Sequence, residues 1–232
     1  MNFERWEPIY EAIRADFGYD RADDERARDE LADLVEPFDL DRLYVEGGTV
    51  AIAGAAPALR DELDRVRDAD AVFAASNAAD LLLRRGIDID CMVTDLDKAP
   101  GTATDLTHAG TPVAVHAHGD NRGAIRGWVP EMATERVLPT TQVEPRPPVI
   151  NVGGFTDGDR AAFLADHLGA GELRFPGWDF DDPGVGAEKR RKLQWAARLL
   201  GWLERRRGER FPVLDGRRDG IAALPGEGAR DG

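Results

Sequence analysis

The chain has 232 residues, 44 acidic side chains against 30 basic ones, a formal net charge of −14, and 42% hydrophobic residues. That suffices for one proper core with a small appendage. The acidic balance, with no Lys/Arg stripe free of carboxylates, speaks against nucleic acid; the single Cys91 excludes a disulfide framework or thiolate zinc cluster; Met1–Pro8 does not read as a signal peptide, and no apolar run reaches the roughly 18 residues of a membrane span.

The expectation is a soluble cytoplasmic protein, away from membranes, with room for assembly into a homo-oligomer. Lysine is scarce: Lys98, Lys189 and Lys192 stand against 27 arginines. An acidic, lysine-poor surface holds hydration while salt screens its self-repulsion, so the composition predicts a halophilic source.

From the amino end, Asn2–Leu40 reads as helical. Trp6, Ile9, Tyr10, Ile13 and Phe17 recur at helical spacing, and the run Arg21–Val35 has Leu31, Leu34 and Val35 as its apolar side. Residues 1–42 are read as a helical cap on a catalytic domain at 43–208. From Leu43 onward, strands are predicted at Val50–Ala53, Ala71–Ala75, Ile89–Thr94, Val113–Ala117, Val149–Val152 and Glu172–Phe175. Helices are predicted at Leu59–Arg67, Ala78–Arg85, Asn121–Trp128, Asp159–His167 and Ala187–Arg207. The alternation predicts an α/β fold, a mostly parallel open sheet with helices on both faces. The end of the chain, 209–232, reads as a loose tail.

Each predicted strand runs at its carboxyl end into small or polar residues, the edge where open α/β sheets bind ligands. Gly54-Ala55-Ala56-Pro57 joins a strand to a helix, as a phosphate-approaching turn or simply a tight one. It is neither a P-loop nor the dinucleotide fingerprint. Ser76 and Asn77 follow the second strand. Asp95 and Asp97, two apart at an extended strand end, point to one face and suit a hard divalent ion such as Mg²⁺. His116, His118 and Asp120 repeat that spacing. They fit either a two-His, one-carboxylate metal site or a polar loop that handles phosphate and substrate. Gly153 and Gly154 suggest close approach of the backbone to a ligand, and Thr156, Asp157 and Asp159 open a helix that they can also cap. Lys189 and Lys192 share a helical face, and with Lys98 they are candidates for phosphate contacts.

Taken together, Asp95-Leu96-Asp97, His116-Ala117-His118-Gly119-Asp120-Asn121, Gly154-Phe155-Thr156-Asp157-Gly158-Asp159-Arg160-Ala161, and Lys189 with Lys192-Leu193 resemble the archaeal 6-hydroxymethyl-7,8-dihydropterin pyrophosphokinase family. That family is similar in its core to thiamin pyrophosphokinases, and the resemblance runs from about Val50 to Leu203. It implies an enzyme dependent on ATP and Mg²⁺ in folate or methanopterin biosynthesis. The family's glycine loop usually reads Gly-x-Gly-Pro-Ser-Leu, whereas here it is Gly54-Ala55-Ala56-Pro57-Ala58-Leu59. On this reading Asp95 and Asp97 hold metal, with Asp120 and Asp157 as further candidate ligands. Lys189 and Lys192 hold phosphates, and His118 and Asn121 orient substrate or phosphate. Gly54, Ser76, Asn77, Gly153, Gly154, Thr156 and Asp157 line the nucleotide site. Trp178 or Phe155 is a candidate to stack on the pterin, with core packing the alternative for either. Transfer to thiamin, transfer from an activated sugar nucleotide, and an inactive nucleotide-binding module are the rival readings.

Overall fold

The structure, a computed structural model, describes residues 1–226. Six strands form one parallel sheet: β1 (Thr49–Ala53), β2 (Ala71–Ala75), β3 (Cys91–Thr94), β4 (Val113–Ala117), β5 (Val137–Thr141) and β6 (Glu172–Arg174), in the order β5-β4-β3-β2-β1-β6. Registers such as Val50 opposite Ala71, Phe73 opposite Cys91 and Met92 opposite Val113 set neighbouring apolar side chains level.

Because strand residues alternate sides, the sheet divides two cores. Val50, Ile52, Phe73, Cys91 and Val93 face one way, against α1 (Phe3–Phe17), α7 (Asp157–His167) and α8 (Ala187–Arg207). Ala51, Ala53, Val72, Ala74, Met92 and Val115 face the other. There they meet α2 (Arg21–Ala32), α3 (Leu63–Arg67), α4 (Ala78–Arg84), α5 (Pro100–His108) and α6 (Arg122–Trp128). The arrangement follows from right-handed crossovers. While the chain walks from β1 to β5 its helices stay on one face. The return to β6, beyond β1, puts α7 on the other.

Helix α1 ends at Gly18, whose φ of 76° turns the chain into α2. The two helices therefore straddle the sheet: Trp6, Ile9, Tyr10 and Ile13 enter one core, Ala27 and Leu31 the other.

Three expectations are corrected. Val149–Val152 is not a strand. It holds only isolated bridges, Val149 to Arg146 and Ile150 to Thr140, and the edge strand is β5, which sequence patterning overlooked. Pro139 lies within β5 and lacks an N–H, which makes the run read as a loop, yet its carbonyl still accepts from Ile150. Helix α5 was also overlooked, because Thr and Gly dilute its apolar spacing. The predicted helix Leu59–Arg67 is a 3₁₀ turn at Pro57–Arg60 followed by the short α3.

The stretch read as a loose tail packs as far as it is described: Phe211, Leu214 and Leu224 are buried in the core with α8. Residues 227–232 of that tail lie outside the described residues. Among the described residues no helix is long and apolar enough to cross a membrane.

Candidate active site

The carboxyl ends of the strands open into a cleft of about 420 Å³. It lies beside the point where the strand order reverses, between β1 and β6, as expected for a doubly wound sheet. Its floor is formed by the residues after β1, β2, β3 and β4 and by the start of α7. The α1–α2 turn and the start of α8 supply its walls.

Asp95, Asp97 and Asp157 meet here, with ligand oxygens within 4.8 Å of one another. Asp95 and Asp97 do not converge by strand periodicity, as expected from their spacing. Leu96 between them has a φ of 66°, a left-handed conformation costly for a branched side chain, and its side chain is buried. The Leu96 N–H bonds Thr94 Oγ1 at 2.9 Å, and the Asp97 N–H bonds Asp95 Oδ1 at 3.1 Å, which closes the turn. The other two non-glycine residues with positive φ, among those described, are Ser76, just after β2, and Ala99, which precedes α5. Two of the three strained positions, Leu96 and Ser76, thus stand just after strand ends on this rim.

The trio is electrostatically frustrated. Burial pushes the Asp157 carboxyl up to about 7, and the charges of Asp95 and Asp97 add to that. Asp97 is raised by burial and then by its hydrogen bond to Asp95 and the charge on it. Burial would raise Asp95 too, but hydrogen bonds from His118 and Asp97, with the charge of Arg160, hold it well below the ordinary carboxylate range. Three carboxylates brought together, of which only one is stabilised as an anion, form a candidate site for a cation.

The surrounding residues divide into those that face the cleft and those that support it. His118 does both. Its Nδ1 accepts from the Asp120 N–H at 3.3 Å, so its Nε2–H donates to Asp95 Oδ2 at 3.4 Å. His116 is buried with Nδ1 on Thr140 Oγ1 at 3.1 Å, and burial lowers its pKa well below the ordinary value. The His116/His118/Asp120 metal site is therefore not formed. Asp120 lines the cleft but stands exposed, outside the trio.

Asn121 is a structural clamp and does not line the cleft. Its Nδ2 donates to the carbonyls of Asp95 at 2.8 Å and His116 at 2.6 Å, and its Oδ1 accepts from the His118 N–H. Gly153 and Gly154, with φ of 88° and 95°, are buried away from the cleft as well. Their close approach is to α7: a Cβ on Gly154 would lie 2.5 Å from Arg160 Cα.

Gly54 lines the cleft, but its turn is committed to the fold. The Gly54 N–H bonds the Pro176 carbonyl, and the Ala56 N–H bonds the Gly177 carbonyl. Trp178 is likewise wedged in place. Its Nε1 bonds the Ile52 carbonyl at 2.8 Å, and its ring lies so close to Gly54 and Gly158 that a Cβ on either would clash. Phe155 packs at 5.3 Å from Phe17 and 6.5 Å from Tyr19 while lining the cleft.

Ser76 and Asn77 reach the cleft, and the buried Ser76 Oγ has no partner among the described residues. Thr156 reaches it while its hydroxyl donates to Asp159 Oδ2 at 2.7 Å in a capping box that opens α7. Lys98, Lys189 and Lys192 all line it; Lys192 pairs with Glu188 at 3.2 Å.

Sequence reasoning missed the opposite wall: Tyr19 and Asp20 from the α1–α2 turn, Asp23 and Asp24 from the first turn of α2, and Gln142 after β5. In an acidic chain nothing local distinguished these carboxylates. The lone signal was a tyrosine at the end of a helical apolar stripe.

The model of the 6-hydroxymethylpterin diphosphokinase MptE-like family matches residues 26–184, more than half of the chain. The chain belongs to this family. It is similar to proteins named 6-hydroxymethyl-7,8-dihydropterin pyrophosphokinase from Methanothermobacter thermautotrophicus (37% identical, covering 88% of this chain and 96% of that one) and Pyrococcus furiosus (37%, 88% and 95%). The one from Methanocaldococcus jannaschii is 32% identical, over 88% of this chain and 96% of its own. The matched segment holds the Asp95–Asp97–Asp157 trio and the cleft floor of β1 to β4; Tyr19, Asp20, Asp23, Asp24, Lys189 and Lys192 fall outside it.

Proposed function

We propose that the cleft transfers a diphosphoryl group from ATP to 6-hydroxymethyl-7,8-dihydropterin. The carboxylate trio facing Lys98, Lys189 and Lys192, in a chain of this family, carries the reading. The hydroxymethyl oxygen attacks the β-phosphorus, the bond from that phosphorus to the oxygen of the α-phosphate breaks, and AMP leaves. Such chemistry asks for alignment and charge neutralisation more than covalent help.

Three carboxylates without a nitrogen or sulfur donor fit a hard ion, so Asp95, Asp97 and Asp157 would hold Mg²⁺. Bound there, the ion supplies neutralisation of phosphate charge. His118 keeps Asp95 oriented. Lys189 and Lys192 bind phosphate oxygens, and the unpartnered Ser76 hydroxyl offers a further donor. Phe155 and Tyr19 give the flat pterin an aromatic flank, and Trp178 is assigned to packing.

Product analysis tests this. With ATP, Mg²⁺ and the pterin in high salt, AMP should accumulate in step with pterin diphosphate. ADP as product, or turnover independent of the pterin, refutes it.

A further inference from the structure

A buried line of polar contacts runs from the amino-terminal helices to the trio. Asp24 on α2 is 3% exposed. Its Oδ2 accepts from the Tyr10 hydroxyl at 2.8 Å and from Gln142 Nε2 at 2.7 Å, and its Oδ1 accepts from the Gly119 N–H at 2.6 Å. Gln142, 4% exposed, accepts at Oε1 from Arg160 at 3.5 Å, and Arg160 donates to Asp157 Oδ1 at 3.2 Å.

Donor and acceptor roles allow one arrangement of this line. A carboxylate accepts and a guanidinium only donates, so the Gln142 NH₂ must face Asp24 and its oxygen must face Arg160. The buried His116 ring lies beside this line. The Thr140 hydroxyl donates to the Val115 carbonyl at 3.1 Å, so it accepts from His116 Nδ1–H, and His116 Nε2 is left as a buried lone pair with no hydrogen-bond partner.

Arg160 itself is thinly held. Its Nε is buried without a partner, and its contact with Gln142 is long. A guanidinium with donors to spare can swing, and its carboxylate partner would swing with it.

We propose that Gln142 is a positioning residue. Oriented by Asp24, it braces Arg160 against Asp157 and so fixes the oxygen that Asp157 turns toward Asp95 and Asp97. The proposal rests on the reading of the trio as a cation site. It makes the amino-terminal helices part of the site's support, since Tyr10 and Asp24 precede the segment that the family model matches.

The test is titration of the full chain with Mn²⁺ alone, followed by the electron paramagnetic resonance of the free ion, with a thermal melt for each variant. Gln142→Leu should weaken Mn²⁺ binding about tenfold or more, and Tyr10→Phe by about twofold to threefold. The double variant Asp24→Asn/Gln142→Glu reverses the roles along the line: residue 24 now donates and residue 142 accepts from both sides. It should restore Mn²⁺ affinity to within about threefold of wild type, which a mere packing role would not do. In turnover, Gln142→Leu should raise the KM for Mg²⁺ while kcat at saturating Mg²⁺ stays within about threefold.

Unchanged Mn²⁺ affinity in a folded Gln142→Leu protein, or a defect confined to the KM for the pterin, overturns the proposal alone. Wild-type protein that binds no Mn²⁺ overturns the cation reading with it. Should Gln142→Leu fail to fold, Tyr10→Phe and the double variant decide: wild-type affinity in the first, or lost affinity in a folded second, overturns it.

Discussion

The turns after β1 and β3 occupy the same rim and read alike in sequence, as short runs of special residues at a strand end. After β1, the N–H groups of Gly54 and Ala56 are paired with carbonyls from the β6 turn, and Trp178 fills the remaining space. After β3, Leu96 is held left-handed and three carboxylates are left facing one another. The first turn spends its polar groups on the fold; the second keeps them unspent at a cost in strain and repulsion. Unsatisfied groups, more than glycines or small residues, mark where a ligand belongs.

The sharpest way to break this contrast is Asp97→Asn. It keeps size and removes a charge that a hard cation prefers. Turnover should fall at least about 100-fold, while the metal-free protein melts no lower than wild type because repulsion within the trio is relieved. Activity near wild type at saturating Mg²⁺ would dissolve the distinction between the two turns.

The pH dependence of metal-free stability measures the repulsion directly. A carboxyl raised in the folded state favours its protonated form there. Its stabilising contribution is therefore full below about pH 4 and is lost as pH climbs through about 7. His116, held neutral by burial, acts in the opposite sense as pH falls below about 6.5. The quantity to follow is thus the difference between wild type and Asp157→Asn in EDTA. Between pH 5 and 8 wild type should lose about 2 kcal/mol relative to the variant, and Mg²⁺ should reverse the loss. A difference that is flat with pH would mean that the trio is not repulsive.

For the β1 turn the expectation is inverted. A Cβ on Gly54 would sit 2.5 Å from the Gly177 carbonyl oxygen and 2.9 Å from the Trp178 ring. Gly54→Ala should cost about 1–3 kcal/mol of stability, as overpacking does, and leave Mn²⁺ affinity within twofold. A variant that melts like wild type but binds cation poorly would move the β1 turn into the cation site.

Much of this was legible beforehand, for reasons that differ by residue. The parallel sheet followed from apolar strands at regular spacing, and the rim followed from what stands after each of them. Asp95, Asp97 and Asp157 stood out because strand ends and a helix start give carboxylates a defined place. Pro139 hid β5, since local pattern cannot show that its free edge faces Ile150. Gly153, Gly154 and Asn121 were misplaced because a glycine or an asparagine serves a tight helix approach as well as it serves a ligand. Asp24 and Gln142 were invisible: their roles depend on contacts 118 residues apart.

The smallest effect concerns the lysines, and it sharpens the contrast on the phosphate side. Lys189 and Lys192 line the cleft from one face of α8, yet Lys192 is paired with Glu188 at 3.2 Å, whereas Lys189 has no ion pair within 4 Å among the described residues. By the logic of unspent groups, Lys189 is the freer cation. An ammonium meets a phosphate oxygen as a compact point charge, while a guanidinium presents a wide fork. Both substitutes are good helix formers, so Lys189→Arg and Lys192→Arg should melt like wild type. Lys189→Arg should lower kcat/KM for ATP about tenfold, equivalent to about 1.4 kcal/mol, and Lys192→Arg should lower it less. Equal, wild-type kinetics in both would make them solvated surface charges and leave phosphate binding to Lys98, Arg160 and Ser76. A larger defect at Lys192 would mean that Glu188 steers its ammonium toward the phosphates instead of occupying it.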